Sequence, residues 1–231
     1  MDTKLTVSVV IPCHNYARFI PQTLGGVLAQ TYPVKEIIVV DDGSSDDSAE
    51  VAAGVPGVRL IRQPKQGIAG ARNTGAALAT GDLIAFLDAD DLWPADSLEV
   101  RVLPLAQDET LAATYGLVEQ FLGPELDDDA RARLVCPEGR TAARLAGSLL
   151  VRRSIFEAVG PFDTAHAMGE TMDWISRFDD LGARASSVER LVLRRRIHGA
   201  NTVQSQSTNA EYFSVLRSAL VRRRASQQEK A

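Results

Sequence analysis

Leu83-Ile84-Ala85-Phe86-Leu87-Asp88-Ala89-Asp90-Asp91 is an apolar run that ends abruptly in three carboxylates within four positions. A strand buried on both faces carries no charge along its length, so the acids belong at its exit, on the carboxyl edge of a sheet. Like charges this close repel, and a divalent cation is the least costly way to keep them ionised together. The same acids also read as a solvated turn that caps the next helix, and this stretch by itself leaves both readings open.

Upstream of the run, strand and helix signals alternate. Leu5 to Ile11 is an apolar, β-branched strand stopped by Pro12, and Tyr16 to Gln30 has helical spacing with Asn15 as its N-cap. Glu36 to Val40 is a second buried strand ending at Asp41-Asp42-Gly43-Ser44; Ser45 or Asp46 then caps a short helix. Val58 to Ile61 is a third strand, Ile68 to Ala79 an Ala-rich helix, and Pro94 the first residue of the helix after the acids. Such alternation predicts right-handed βαβ units and a parallel sheet, which binds ligands beyond the carboxyl ends of its strands. Pro12-Cys13-His14-Asn15, Asp41-Asp42-Gly43-Ser44 and Asp88-Ala89-Asp90-Asp91 all end strands and therefore face one crevice. That convergence favours a ligand site over a simple cap.

Past about residue 104 the rhythm breaks. Leu111 to Val118 and Ser148 to Val151 read as strands, and 123–140 as a loop in which Asp127-Asp128-Asp129 starts a solvated helix. Ser154 caps a helix to Val159, Glu170 to Leu181 is another, and Leu191 to Ile197 is a final strand carrying Arg194-Arg195-Arg196. From Asn209 the pattern is an amphipathic helix finishing in Arg222-Arg223-Arg224.

At 231 residues, with 45% hydrophobic and 24% charged side chains, the chain has the makeup of a globular protein with one sizeable core. Its net charge of −5 argues against nucleic acid as a partner, which would select a basic field. No apolar run approaches the roughly 20 residues that span a bilayer. Met1-Asp2-Thr3-Lys4 lacks the regions of a signal peptide. Cys13 and Cys136 form no CxxC pair, so neither a zinc site nor a disulfide framework is predicted, and a reduced cytoplasmic compartment is expected.

Six motifs, in order, resemble the family-two glycosyltransferases. They are Val7 to Tyr16; Gln30-Thr31-Tyr32-Pro33 with Glu36 to Asp46; Gly70-Ala71-Arg72-Asn73-Thr74-Gly75 with Gly81-Asp82; Leu87-Asp88-Ala89-Asp90-Asp91 in the place of the family's DxD; Val159-Gly160-Pro161-Phe162-Asp163; and Arg196-Ile197-His198-Gly199-Ala200-Asn201. The resemblance implies an α/β fold, a single GT-A domain whose mostly parallel central sheet is flanked by helices. That domain is expected over 1–205, with about 1–100 as the nucleotide-binding half and 101–205 as the acceptor half. Residues 206–231 are left as a C-terminal amphipathic helix and basic tail.

The activity so implied is transfer of a sugar from a nucleoside diphosphate, a UDP-sugar foremost, by an inverting displacement assisted by Mn²⁺ or Mg²⁺. The acceptor is a glycan, a lipid-linked glycan, a peptide or a small molecule. Asp90 is the first choice as metal ligand, with Asp88 holding the ribose or a metal-bound water, and His198 completing the metal or diphosphate site. Asp91 caps the next helix or touches the donor sugar. Asp42, with Asp41 as the alternative, accepts from a nucleobase ring N–H, while one of the two closes the turn through Gly43 and Ser44. Arg72 is placed to meet the base or diphosphate. Pro12 and Asn15 line the nucleoside pocket, and His14 is a loop residue. Arg194 to Arg196 alternate faces, so only part of the run enters the site, with Arg196 or Arg195 binding phosphate.

The family's late helix commonly opens with a Glu-Asp pair whose aspartate is the general base. Here the place reads Gly169-Glu170-Thr171-Met172-Asp173-Trp174, with Thr171 where the aspartate is expected. Glu170 and Asp173, three apart on one helical face, are the remaining candidates, and Asp173 is preferred because its shorter side chain is held more rigidly. Thr171 also motivates a contrary expectation, a non-catalytic sugar-nucleotide-binding partner. A phosphatase with an aspartyl nucleophile is disfavoured, because its acids would follow the first strand. The basic tail suggests peripheral contact with an anionic membrane, or equally a helix packed on the domain or on a homodimer partner.

Overall fold

The computed structural model describes residues 4–166, 168–199, 217 and 222. Its first half supplies β1 (Val7–Cys13), α1 (Ile20–Leu28), β2 (Glu36–Asp42), α2 (Ser48–Ala53), β3 (Val58–Gln63), α3 (Gly67–Leu78) and β4 (Leu83–Phe86). The second half adds α4 (Ser97–Gln107), β5 (Leu111–Leu122), α5 (Asp128–Arg133), β6 (Arg140–Ala143), β7 (Leu150–Arg152), α6 (Arg153–Val159), α7 (Glu170–Asp180) and β8 (Arg184–Ile197). The strands form one sheet in the order β3-β2-β1-β4-β7-β5-β6, with β8 also paired to β5. β1 to β4 are parallel, as the βαβ rhythm predicts, whereas β7 joins β4 and β5 antiparallel.

Alternation along β1 divides the core. Val7, Val9 and Ile11 pack with Ile20 and Leu24 of α1 and Leu98 and Val102 of α4. Val10 faces the opposite way, into a layer with Ala71 and Ala76 of α3 and Phe156 and Trp174 of α6 and α7. Helices therefore cover both faces, which is why β1, β2 and β4 read as continuous apolar runs. Helix α3 meets the sheet closely at Gly75, where a Cβ would run into the Val10 side chain. Gly75→Ala is expected to destabilise the protein by about 1–3 kcal/mol, because that strand cannot yield; a lowered urea midpoint at unchanged slope is the check.

Several boundaries differ from the sequence reading. β1 continues through Pro12, because its ladder with β4 ends at Val10 and Pro12 pairs with β2 alone. Asn15 is not a helix cap: it sits at φ 60°, and α1 begins five residues later after a turn at Phe19. α4 starts at Ser97 rather than Pro94, whose carbonyl instead accepts from the Ser97 N–H (3.0 Å). Within 123–140 lies α5, capped by Asp127 through the Ala130 N–H (2.7 Å), and at its end begins β6, too short and exposed to leave a hydrophobic signal. The tail expected over 206–231 lies outside the described residues except at Arg217 and Arg222.

Candidate active site

The carboxyl ends of β1, β2 and β4 open onto a cavity of about 620 Å³, bordered also by α3, the loop before β7 and the start of α7. Pro12, Asp42, Arg72, Asp88, Asp90, Asp91 and Glu170 line it together. Asp41, Asn15, Asp173, Arg196 and His198 are outside that lining.

The acidic loop is held by two residues, Thr23 and Arg196. Thr23 of α1 donates its hydroxyl to the carbonyls of Ala89 (2.8 Å) and Asp91 (2.9 Å). The backbone N–H of Arg196 donates to Asp91 Oδ1 (2.9 Å), and the Arg196 Nε donates to the Asp90 carbonyl (2.9 Å). Asp91 is thus an anchored residue: burial, reinforced by the charges of Asp90 and Asp88, pushes its carboxyl well above the usual range. Arg196 is fully committed. Its guanidinium also reaches Gln22 and Glu125 and lies between the rings of Phe19 and Phe121. It braces the loop from behind, where the sequence had it binding phosphate.

His198 Nε2 lies 2.9 Å from Asp90 Oδ2, and the imidazole is packed by Phe19 and Tyr16. Among the described residues no three His, Cys, Asp or Glu side chains form a ready metal cage. The Asp90–His198 pair still suits Mn²⁺ or Mg²⁺, which commonly take only one or two protein ligands and complete the shell with phosphate oxygens and water.

Arg72 is buried and clamped between two elements: Nη2 donates to Asp88 Oδ1 and Nη1 to Glu170 Oε1, each at 2.6 Å. Burial by itself would depress the guanidinium, but the two carboxylates outweigh it and hold it above its ordinary value. Arg72 therefore ties the β4 exit to α7, and only its Nε is left without a partner. Glu170, which lines the cavity, uses Oε1 for Arg72 and for the Thr171 hydroxyl (3.0 Å), and among the described residues Oε2 makes no hydrogen bond. Asp173 is turned away. Its oxygens accept from Arg177 Nε (2.9 Å) and Arg222 Nη1 (2.8 Å), so Arg222 of the basic tail is folded inward onto α7.

At the β2 exit, Asp42 anchors the start of α3 by accepting the N–H groups of Gln66 and Gly67 (2.8 Å each), while Asp41 closes the turn through Ser44 (3.3 Å). Asn15 clamps the same loop by accepting from the Ser45 N–H (2.8 Å). Sequence reasoning missed Lys65 and undervalued His14: both line the cavity, and Lys65 Nζ donates to His14 Nε2 (2.8 Å). Their positions just past β3 and β1 are the signal that could have found them. Cys13 also lines the cavity, but burial pushes its thiol up to about 12, so it offers no thiolate nucleophile.

The far wall, Arg144 to Gly147, is fixed by a buried cation that the sequence did not reveal. Arg101 donates to the carbonyls of Ser97 (2.9 Å), Ser148 and Leu149 (3.2 Å each) and stacks 4.6 Å from the Trp93 ring, whose Nε1 donates to Gly147 (2.8 Å).

The mixed sheet flanked by helices, with an acidic strand exit opposite a late helix, has the GT-A fold. S. aureus TarS 1-349 in complex with UDP shares the fold at TM-score 0.70 and 16% identity, over 94% of this chain and 65% of that one. The mannosyltransferase PcManGT from Pyrobaculum calidifontis, in complex with GDP-Man and Mn²⁺, aligns at TM-score 0.65 and 26% identity over 87% and 59% of the two chains. The chain belongs to glycosyl transferase family 2, whose model matches residues 8–159. An uncharacterized glycosyltransferase of Nostoc sp. is 30% identical over 220 residues, 88% of this chain and 68% of that protein. The UDP-Glc:alpha-D-GlcNAc-diphosphoundecaprenol beta-1,3-glucosyltransferase WfgD of Escherichia coli is 36% identical over 137 residues, 54% and 53% of the respective lengths. The membership read from the six motifs therefore holds. No helix among the described residues is long and apolar enough to cross a membrane.

Proposed function

We propose that the protein transfers a sugar from a nucleoside diphosphate, a UDP-sugar foremost, to an acceptor hydroxyl with inversion at the anomeric carbon. The observation that carries this reading is the single cavity shared by Asp42, Asp88, Asp90 and Glu170. Residues 1–100 bind the donor and 101–205 shape the acceptor side of one domain. Pro12 and Asp42 hold the nucleoside, Asp42 keeping a lone pair for a base N–H beyond the ones it already accepts. Asp88 orients the ribose. Asp90 and His198 hold the divalent ion, which when bound supplies charge stabilisation to the departing diphosphate.

Glu170, rather than Asp173, is the general base in this proposal. Its Oε1 is anchored by Arg72 and Thr171, and Oε2 is free to take the proton of the acceptor hydroxyl as that oxygen attacks. The glycosidic bond to the diphosphate breaks on the opposite face as the new bond forms, and its electron pair leaves with the diphosphate. Asp173, shielded by two arginines, supports α7. The cytoplasmic location, peripheral membrane contact and homodimer belong to the same proposal and rest on cysteine usage and the basic tail.

The test is nucleoside diphosphate release with Mn²⁺ and a panel of donors and acceptors. Glu170→Gln is expected to lower kcat by about 10²–10⁴-fold, in the range of general-base catalysis. Asp173→Asn should leave kcat within a few-fold while lowering the thermal midpoint. The opposite ranking would return the base to Asp173, and donor binding without turnover by wild-type protein would overturn the transferase reading.

A further inference from the structure

The arginine run of β8 divides by face. Arg194 reaches Glu119 (3.3 Å) and lies 4.8 Å over the Phe121 ring, and Arg196 lies 5.0 Å from the same ring. Arg195 takes the opposite face with Leu193, and both line the main cavity. Arg195 makes no hydrogen bond or ion pair with another described residue, and its charge acts on the Asp91 carboxyl from a distance. The other arginines on the cavity are already occupied, Arg72 by Asp88 and Glu170 (2.6 Å each) and Arg144 by both oxygens of Asp179 (2.6 and 2.9 Å).

Arg195 also borders a second hollow of about 110 Å³ that adjoins the main cavity across Leu145. Val118 and Gln120 of β5 and Thr141 of β6 form its walls, and Glu138 stands at its exposed rim. Strand order fixes which substrate can reach it. Pro12 and Asp42 are on β1 and β2, the acids follow β4, and β5 and β6 lie beyond β7 on the other side. A group in this hollow is separated from the nucleoside by the acidic loop, so it belongs to the acceptor.

We propose that Arg195 and the hollow beside it form an acceptor subsite that takes an anionic group, a phosphate or a carboxylate carried by the acceptor sugar. This rests on the transferase reading above. A guanidinium presents a planar fork matched to either anion, and one that is half-buried without a protein carboxylate bonded to it gains most from such a ligand. Gln120 and Thr141 supply neutral hydrogen-bonding groups. Glu138 opposes an anion, but it is exposed and so screened, which directs the ligand to the Arg195 side.

The experiment is calorimetric titration of protein saturated with Mn²⁺ and UDP, or GDP if that binds tighter, using glucose 1-phosphate, methyl glucuronide and methyl glucoside as probes. At least one charged probe should bind about tenfold more tightly than the neutral glycoside, and the preferred charged probe identifies the anion. Arg195→Gln should erase that preference while nucleotide affinity stays within twofold, Arg195→Lys should keep part of it, and Glu138→Gln should strengthen it. Equal binding of all three probes to wild-type protein overturns the subsite, as does a preference that survives in Arg195→Gln. Loss of nucleotide affinity in Arg195→Gln would assign the residue to the donor diphosphate and overturn it too. Failure of wild-type protein to bind any nucleoside diphosphate would instead overturn the transferase reading and the subsite with it.

Discussion

Asp90→Asn is expected to reduce nucleoside diphosphate release by about three orders of magnitude, a loss of roughly 4 kcal/mol of transition-state stabilisation. The substitution keeps the shape of the side chain and a polar contact to His198, 2.9 Å away. It removes the negative charge that, in the proposed mechanism, holds the divalent ion against the leaving diphosphate. Folding should be little affected, because the acidic loop is fixed by bonds from Thr23 and Arg196 to backbone carbonyls and to Asp91, none of which uses the Asp90 carboxylate. The measurement is steady-state turnover alongside a thermal melt. Wild-type turnover in the variant, with or without excess Mn²⁺, would remove Asp90 from the metal site.

Arg72→Met should be the most damaging single change to stability among those considered. Breaking a buried ion pair from one side leaves its partners uncompensated and costs about 3–5 kcal/mol. For a chain of this size that is a fall of about 10 °C in thermal midpoint. The two arms are unequal. The Asp88 side chain is 34% exposed and can be rehydrated, whereas that of Glu170 is only 10% exposed, so Glu170 carries most of the cost. A double substitution, Arg72→Met with Glu170→Gln, should therefore recover part of the loss, and a double-mutant cycle measures the coupling. Additive effects would mean that the Arg72–Glu170 contact contributes little. Turnover should fall in Arg72→Met as well, because the same guanidinium orients the proposed base and Asp88, the proposed ribose ligand.

Much of the site was legible because a parallel sheet converts sequence position into spatial position. Asp42 and Asp88 end strands, and the carboxyl ends of neighbouring parallel strands lie side by side, so their convergence needs no knowledge of packing. Asn15 shows the limit of local rules: its residue type suits an N-cap, yet its neighbour is Ser45 of the next loop, and the left-handed backbone it tolerates serves that clamp. Asp173 shows the same limit within a helix. Glu170 and Asp173 share a face by spacing, but Arg177 and Arg222 pull Asp173 to one side while Arg72 holds Glu170 at the cavity.

The sequence alone determined the class of fold, the family, and the strand end at which the acids sit. Each follows from periodicity of two or 3.6 and from motifs short enough to be contiguous. Tertiary structure decided the roles within the acidic cluster and the arginine run. Asp91 became the anchored acid, Asp90 the partner of His198, Arg196 the brace and Arg195 a cavity cation with no ion pair among the described residues. Those assignments depend on which side chain meets a partner 70 to 110 positions away, and a charge carries no mark in the sequence of whether its counter-charge will be protein or substrate.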